Sequence, residues 1–204
     1  MLIKTDKPLG QLLSDYASEN NEEARTSIES AIWKQFGTTG AIMVLDMSGF
    51  SVVTRTRGIV YYMSLIYKMQ QAVAPAIAMH KGNIVKFEAD NCFATFSNSD
   101  NALSSALAIH DAIAEINARN PDDRNIEVSI GIDHGRYLSL GSIDFFGDPV
   151  NLASKLGEDL AEASEILMTR ESHESLTGSH PVEFVPVEFS ISGLKMDAVK
   201  VKRI

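Results

Sequence analysis

Cysteine is nearly absent. Cys92 is the only one in 204 residues, which excludes an internal disulfide and a zinc site built from several thiolates. It sits in the apolar stretch NCFATF, where a small buried thiol in a reducing cytoplasm is expected. Basic residues are also scarce, 18 Lys and Arg against 27 Asp and Glu, for a net charge of −9. No basic stripe is present, which argues against a protein that grips nucleic acid by displacing counterions, and any anionic ligand must be held locally. No uncharged apolar stretch reaches membrane-spanning length, and the first twenty residues lack the apolar core of a signal peptide. A soluble, cytoplasmic chain with no membrane insertion follows as the expectation. Internal repeats and low-complexity tracts are missing too, and the length suits one core over most of the chain.

What is present alternates between strand and helix signals. Residues 1 to about 20 mix charge with Pro8 and Gly10 and read as an arm leading into a helix, Glu22 to Phe36, with Ile28, Ile32, Trp33 and Phe36 at helical spacing. Gly37 and Gly40 end that helix. Residues 1–37 are taken as this arm and helix, and 38–204 as the main domain. AIMVLDM predicts a central strand, SGF a tight turn, and Ser51 to His80 one long helix with a blemish at Gly58 and Pro75 near its end. NIVKFEAD and NCFATF predict a hairpin turning at Ala89-Asp90 or Asp90-Asn91. A helix from Asn101 to Asn117, with His110 on its face, closes in the loop Asn120-Pro121-Asp122-Asp123. NIEVSIGI predicts a strand, Asp133 to Gly135 a turn, RYLSLGSI another strand, and Pro149 to Ala163 a helix. EILMT, a short helix from Arg170 to Leu176, and the strands VEFVPVEFSI and AVKVKRI complete the chain. The expected class is α+β: a ferredoxin-like βαββαβ core with an added α/β unit and a C-terminal hairpin.

Two carboxylates stand out. Asp46 and Asp90 each lie where a buried strand gives way to a turn, so a core can hold both rigidly while leaving them open to a ligand. Mg²⁺ is bound this way, through one or two carboxylates plus phosphate oxygens, and a metal pair is a standard clamp for displacement at phosphorus. Taken alone, two turn aspartates more often only solvate their loops.

Their neighbours resemble a known family. VLDMSGFS at 44–51, KFEAD at 86–90 and GDPVNLASKL at 147–156 are similar, in order, to segments of the catalytic domain of class III adenylate and guanylate cyclases. The resemblance implies attack of a ribose 3′-hydroxyl on the α-phosphate, with pyrophosphate leaving. It implies that Asp46, Asp90 and the carbonyl of Met47 hold two ions, Mg²⁺ or Mn²⁺, and that Gly49 and Phe50 lie at the triphosphate. Arg136 matches a phosphate-contacting position. Lys86 and Asp144 match the base-reading pair, favouring ATP over GTP, and Asn151 matches the asparagine that fixes the ribose. Lys155 stands where the family usually has an arginine for charge developing at phosphorus. A lysine brings one compact charge instead of a fork of donors, so slower chemistry is expected. Ala89 replaces a common glycine, and Glu88, expected on the opposite strand face, adds a carboxylate. Lys195 lies one residue out of step with a phosphate-binding lysine, and its role is left open.

The resemblance further implies a homodimer with composite sites. Asp46, Asp90 and Arg136 come from one chain, and Lys86, Asp144, Asn151 and Lys155 from the other. An adenylate cyclase making 3′,5′-cyclic AMP is the leading expectation. The alternative is a cyclase-like nucleotide-binding regulatory module with little turnover. A ferredoxin-like dimerisation domain leaves the aspartate pair unexplained, and a diguanylate cyclase lacks its Gly-Gly-acidic signature.

Overall fold

The computed structural model describes residues 7–120, 125–191 and 194–204. The expected loop residues Pro121, Asp122 and Asp123 lie outside these. The chain begins with two helices, α1 (Lys7–Ser18) and α2 (Glu22–Phe36), and then enters the central strand β1 (Gly37–Met47). Helices α3 (Phe50–Arg57) and α4 (Ile59–Met79) lead to the hairpin β2 (Asn83–Glu88) and β3 (Asn91–Phe96), α5 (Ser99–Arg119) and β4 (Val128–Ser139). The short β5 (Phe145–Phe146) precedes α6 (Asp148–Ser154), which runs on as a π-helical segment, Lys155–Leu160. Strand β6 (Ile166–Thr169), α7 (Arg170–Glu174), β7 (Val182–Ile191) and β8 (Leu194–Arg203) end the chain.

The strands form one sheet in the order β2-β3-β1-β4-β6-β8-β7, with β5 paired to β4. Its first four strands carry the expected ferredoxin-like core, β6 is the added α/β unit, joined parallel to β4, and β7 and β8 are the terminal hairpin. β1 is covered on both faces, which is why its sequence is a continuous apolar run instead of an alternation. Ala41, Met43, Leu45 and Met47 face the cluster built by α4 and α5, whereas Ile42 and Val44 face the one containing Ala153 of α6. Truncating a core residue such as Leu45 to Ala costs about 2–5 kcal/mol.

On the second face the helix backbone presses directly on the strands. A Cβ on Gly131 of β4 would lie 2.1 Å from the Ala153 carbonyl oxygen, and one on Gly157 would lie 2.6 Å from the Val44 carbonyl oxygen. Ser129 Oγ adds a buried hydrogen bond of 2.8 Å to the Gly157 carbonyl. These contacts hold the π-helical segment close against β1 and β4.

Several elements differ from the sequence expectation. The arm is a helix: Leu9, Leu12 and Leu13 of α1 pack with Ile28, Ile32 and Phe36 of α2 and with Leu138 and Leu140. Pro8 stands in the first turn of α1, where its missing N–H costs nothing. The long helix is broken at Gly58, whose φ of 87° suits glycine, giving α3 and α4, while Pro75 lies inside α4. Asp133-His134-Gly135 is not a turn. β4 runs straight through it because Asp133 is buried and satisfied, accepting hydrogen bonds from Thr169 Oγ1 and from the His134 N–H at 2.7 Å. The helix expected from Pro149 to Ala163 is α6 followed by the π-helical segment. Cys92 is buried and its thiol is pushed up to about 12 by that burial.

Candidate active site

Asp46 is the next-to-last residue of β1 and alternates to the face of Ile42 and Val44, which is the face covered by the π-helical segment. Asp90 occupies the β2–β3 corner, which is Ala89-Asp90; Ala89 takes the left-handed conformation there, with φ 53°. The structure brings the two carboxylates into electrostatic contact. Burial first, then the charges of Asp90 and Glu158, push Asp46 up to about 6. Glu158 is itself raised, by burial first, and it also senses Glu88 and Asp90. Asp90 is held by a residue that periodicity hid: Tyr62 of α4 donates its hydroxyl to Asp90 Oδ2 at 2.8 Å and lies 3.3 Å from the Met47 carbonyl oxygen. In sequence Tyr62 falls inside the long helix expected from Ser51 to His80 and carries no signal of its own. Its hydroxyl is only meaningful once the fold sets it against the hairpin corner.

These donors fit a hard divalent cation. They are oxygen ligands only, and a bound cation would offset both the burial and the carboxylate repulsion that raise Asp46. Among the described residues no group of three or more His, Cys, Asp or Glu side chains has ligand geometry. Gly49, with φ 96°, turns the chain into α3 immediately after this pair. Phe50 begins that helix, and its side chain lies outside the described residues.

Lys86 and Asp144 meet. The Lys86 ammonium is 3.3 Å from Asp144 Oδ1 and 3.1 Å from Glu88 Oε2, and it stands 5.0 Å from the centroid of the Phe93 ring. Burial lowers Lys86, but the hydrogen bonds and charges of Glu88 and Asp144 outweigh it and hold the ammonium above its usual value. Glu88 therefore shares the face of Lys86, contrary to the expected opposite orientation; residues two apart on a strand face the same way. Asp144 is fixed in turn, its carboxylate accepting the Phe145 N–H at 2.9 Å.

Asn151 and Lys155 line a cavity of about 580 Å³ together with Asp148, Thr169, Lys195 and Asp197. Lys195, left open by the sequence, thus stands with Asn151 and Lys155. Both lysines rest on neighbouring carboxylates, Lys155 on Asp159 at 2.5 Å and Lys195 on Glu188 at 2.9 Å. Partly exposed pairs of this kind are worth about 0–1 kcal/mol, so neither lysine is tied strongly to its carboxylate.

Arg136 is not brought to the aspartates. On the β1–β4 ladder Arg136 pairs with Thr39 while Asp46 pairs with Ser129, so seven positions, roughly 23 Å at ~3.3 Å per residue, separate them. Its guanidinium stacks over the Trp33 ring of α2 at 4.7 Å.

Comparison with known proteins agrees with this geometry. A model of the adenylate and guanylate cyclase catalytic domain matches residues 40–201. A Rhizobium meliloti protein named "Putative adenylate cyclase 3" is 28% identical over 145 residues, 71% of this chain and 24% of that protein. The Mycobacterium tuberculosis protein Rv2212, which carries no assigned function in its name, is 27% identical over 149 residues, 72% of this chain and 38% of that protein. The chain therefore spans between a quarter and two fifths of the length of these relatives. Among solved structures, an adenylate/guanylate cyclase/hydrolase from Silicibacter pomeroyi superposes with a TM-score of 0.68 at 26% identity, covering 81% of this chain and 97% of that one. The adenylyl cyclase CyaB from P. aeruginosa shares the fold, with a TM-score of 0.65 at 18% identity over 82% of this chain and 96% of that one. With the sheet order, the aspartate pair and a match over residues 40–201, the chain belongs to the family of adenylate and guanylate cyclase catalytic domains.

Proposed function

We propose that this class III cyclase domain converts ATP to 3′,5′-cyclic AMP and pyrophosphate at composite sites formed by two copies of the chain. The observation that carries the choice of ATP is the Lys86–Asp144 contact at 3.3 Å. A cation beside a carboxylate offers one donor and one acceptor, which complements the N1 acceptor and amino donor on the edge of adenine. Guanine presents a donor at N1 and a carbonyl acceptor at position 6, the reverse pattern.

In this reading Asp46, Asp90 and the Met47 carbonyl of one protomer hold Mg²⁺ or Mn²⁺. The bound cations supply charge neutralisation at the phosphates and lower the cost of ionising the 3′-hydroxyl. Asn151 of the other protomer fixes the ribose, while Lys155 and Lys195 stand against the phosphates. The 3′-oxygen forms its bond to the α-phosphorus, the bond from that phosphorus to the bridging oxygen breaks, pyrophosphate departs with the electron pair, and the hydroxyl proton passes to solvent. No side-chain nucleophile is needed, so positioning and electrostatics supply the catalysis. Two features support a second copy. The cavity holding Asn151, Lys155 and Lys195 is lined by neither aspartate, and α3 and α4 expose Val52, Val60, Met63 and Tyr67, at 59–77% of their full accessibility, an apolar face of the kind that marks an interface.

The test is a product assay with ATP and GTP in competition, with each metal. Cyclic AMP as the main product, lost in Asp46→Asn, is the expected result. Cyclic GMP as the main product overturns the base assignment. Tight nucleotide binding without turnover, in both the unaltered protein and Lys155→Arg, favours a regulatory module.

A further inference from the structure

Tyr62 is buried to 1% exposure in the first turn of α4 and is among the largest fully buried side chains of the core. A buried phenol needs a partner for its hydroxyl, and this one finds two groups of the proposed cation site. Its single proton goes to Asp90 Oδ2 at 2.8 Å, with the Met47 carbonyl oxygen as the weaker second acceptor at 3.3 Å. One atom anchored in the hydrophobic core therefore spans the end of β1 and the β2–β3 corner. The corner needs an anchor, because Ala89 holds a left-handed conformation, with φ 53°, that an alanine disfavours by about 1–2 kcal/mol.

Resting on the cation-site reading of Asp46 and Asp90, we infer that Tyr62 is a positioning residue for that site: its hydroxyl fixes the Asp90 carboxylate and keeps the Met47 carbonyl beside it. It occupies Oδ2 and leaves Oδ1 for the cation. In this reading its hydroxyl acts through these two groups and not on the nucleotide or the reacting atoms. Hydrogen-bond partners behind a ligand typically contribute 10–100-fold to metal affinity.

The experiment titrates Mn²⁺ into the protein in the presence of 3′-deoxy-ATP, which lacks the attacking hydroxyl, and reads bound Mn²⁺ by electron paramagnetic resonance. Tyr62→Phe is expected to bind Mn²⁺ at least ten-fold more weakly than the unaltered protein. Its apparent KM for metal rises, and saturating metal restores most of kcat. Unchanged Mn²⁺ affinity in Tyr62→Phe overturns the inference alone, provided Asp46→Asn loses Mn²⁺. If the unaltered protein takes up no Mn²⁺, both the inference and the cation-site reading fall. Since the variant removes a buried hydrogen bond, the unaltered sequence labelled with 3-fluorotyrosine gives a second reading that does not depend on the variant's folding. The Tyr62 fluorine resonance, told apart from that of buried Tyr137 by the spectrum of Tyr137→Phe, moves when Mg²⁺ and 3′-deoxy-ATP are added, whereas no movement of it overturns the proposal.

Discussion

Lys155 carries one ammonium, resting on Asp159 at 2.5 Å, where the family usually supplies a guanidinium. In the proposed site a transition state that spreads charge over several phosphate oxygens gains more from a planar fork than from a point charge. Lys155→Arg is therefore expected to raise kcat several-fold with little change in KM for ATP, measured by initial rates of cyclic AMP formation. Glu88 acts in the opposite sense on the base side, competing with Asp144 for Lys86 at 3.1 Å. Removing that competitor in Glu88→Gln frees the ammonium for the base, and a two- to five-fold lower KM for ATP is the expected outcome. Arg136, stacked on Trp33 and seven ladder positions from Asp46, predicts a smaller loss of kcat/KM in Arg136→Ala than in Asn151→Ala. Equal losses would mean that the guanidinium leaves the tryptophan to reach the phosphates.

Among the elements, β1 and the β2–β3 hairpin were legible because their apolar runs and turn residues agree. The two aspartates could be placed at strand ends on that basis alone. Other elements misled for physical reasons. Asp133, His134 and Gly135 have turn chemistry, but the Thr169 hydroxyl from a distant strand satisfies Asp133 and lets β4 continue. Pro8 and Gly10 concealed α1, although Leu9, Leu12 and Leu13 already formed its stripe. Lys86 and Asp144 could be paired only through a family likeness, and Tyr62 not at all, since a buried tyrosine and a buried leucine look alike in a helical pattern. At the hairpin corner, Ala89→Gly relieves the left-handed backbone at φ 53°. Its expected gain is about 0.5–1 kcal/mol, after the extra chain entropy of glycine is subtracted, measured by urea unfolding.

For the whole molecule, buried Asp133 and half-buried Asp46 are two of the acids that tie stability to pH. Asp133 is pushed up to about 6, by burial first, from an ordinary value of 3.8. A raised acid favours the folded state when protonated, so its contribution grows as pH falls through about 6 and is complete below the unfolded value. The difference between 3.8 and about 6 corresponds to about 3 kcal/mol. Asp133→Asn is thus expected to flatten the stability profile of the metal-free protein between about pH 7 and 4, read from thermal midpoints. Asp46 has the same sign but ties it to cation binding. Because its folded value is about 6 and the cation needs the ionised form, Mn²⁺ affinity falls as pH drops from 7 to 5.

The glycine contacts beneath the sheet carry a consequence for how two such molecules work together. Ala153 and Gly157 approach Gly131 and Val44 so closely that a Cβ on either glycine would collide with backbone, so the helix with Asn151 and Lys155 packs tightly on the strand that carries Asp46. In the proposed dimer that helix serves one pocket while the strand serves the other. A nucleotide that shifts the helix in the first pocket is expected to shift the mouth of the second through this close contact. The two pockets will then fill unequally, with a Hill coefficient for 3′-deoxy-ATP that departs from one and returns toward it when Gly157→Ala loosens the contact.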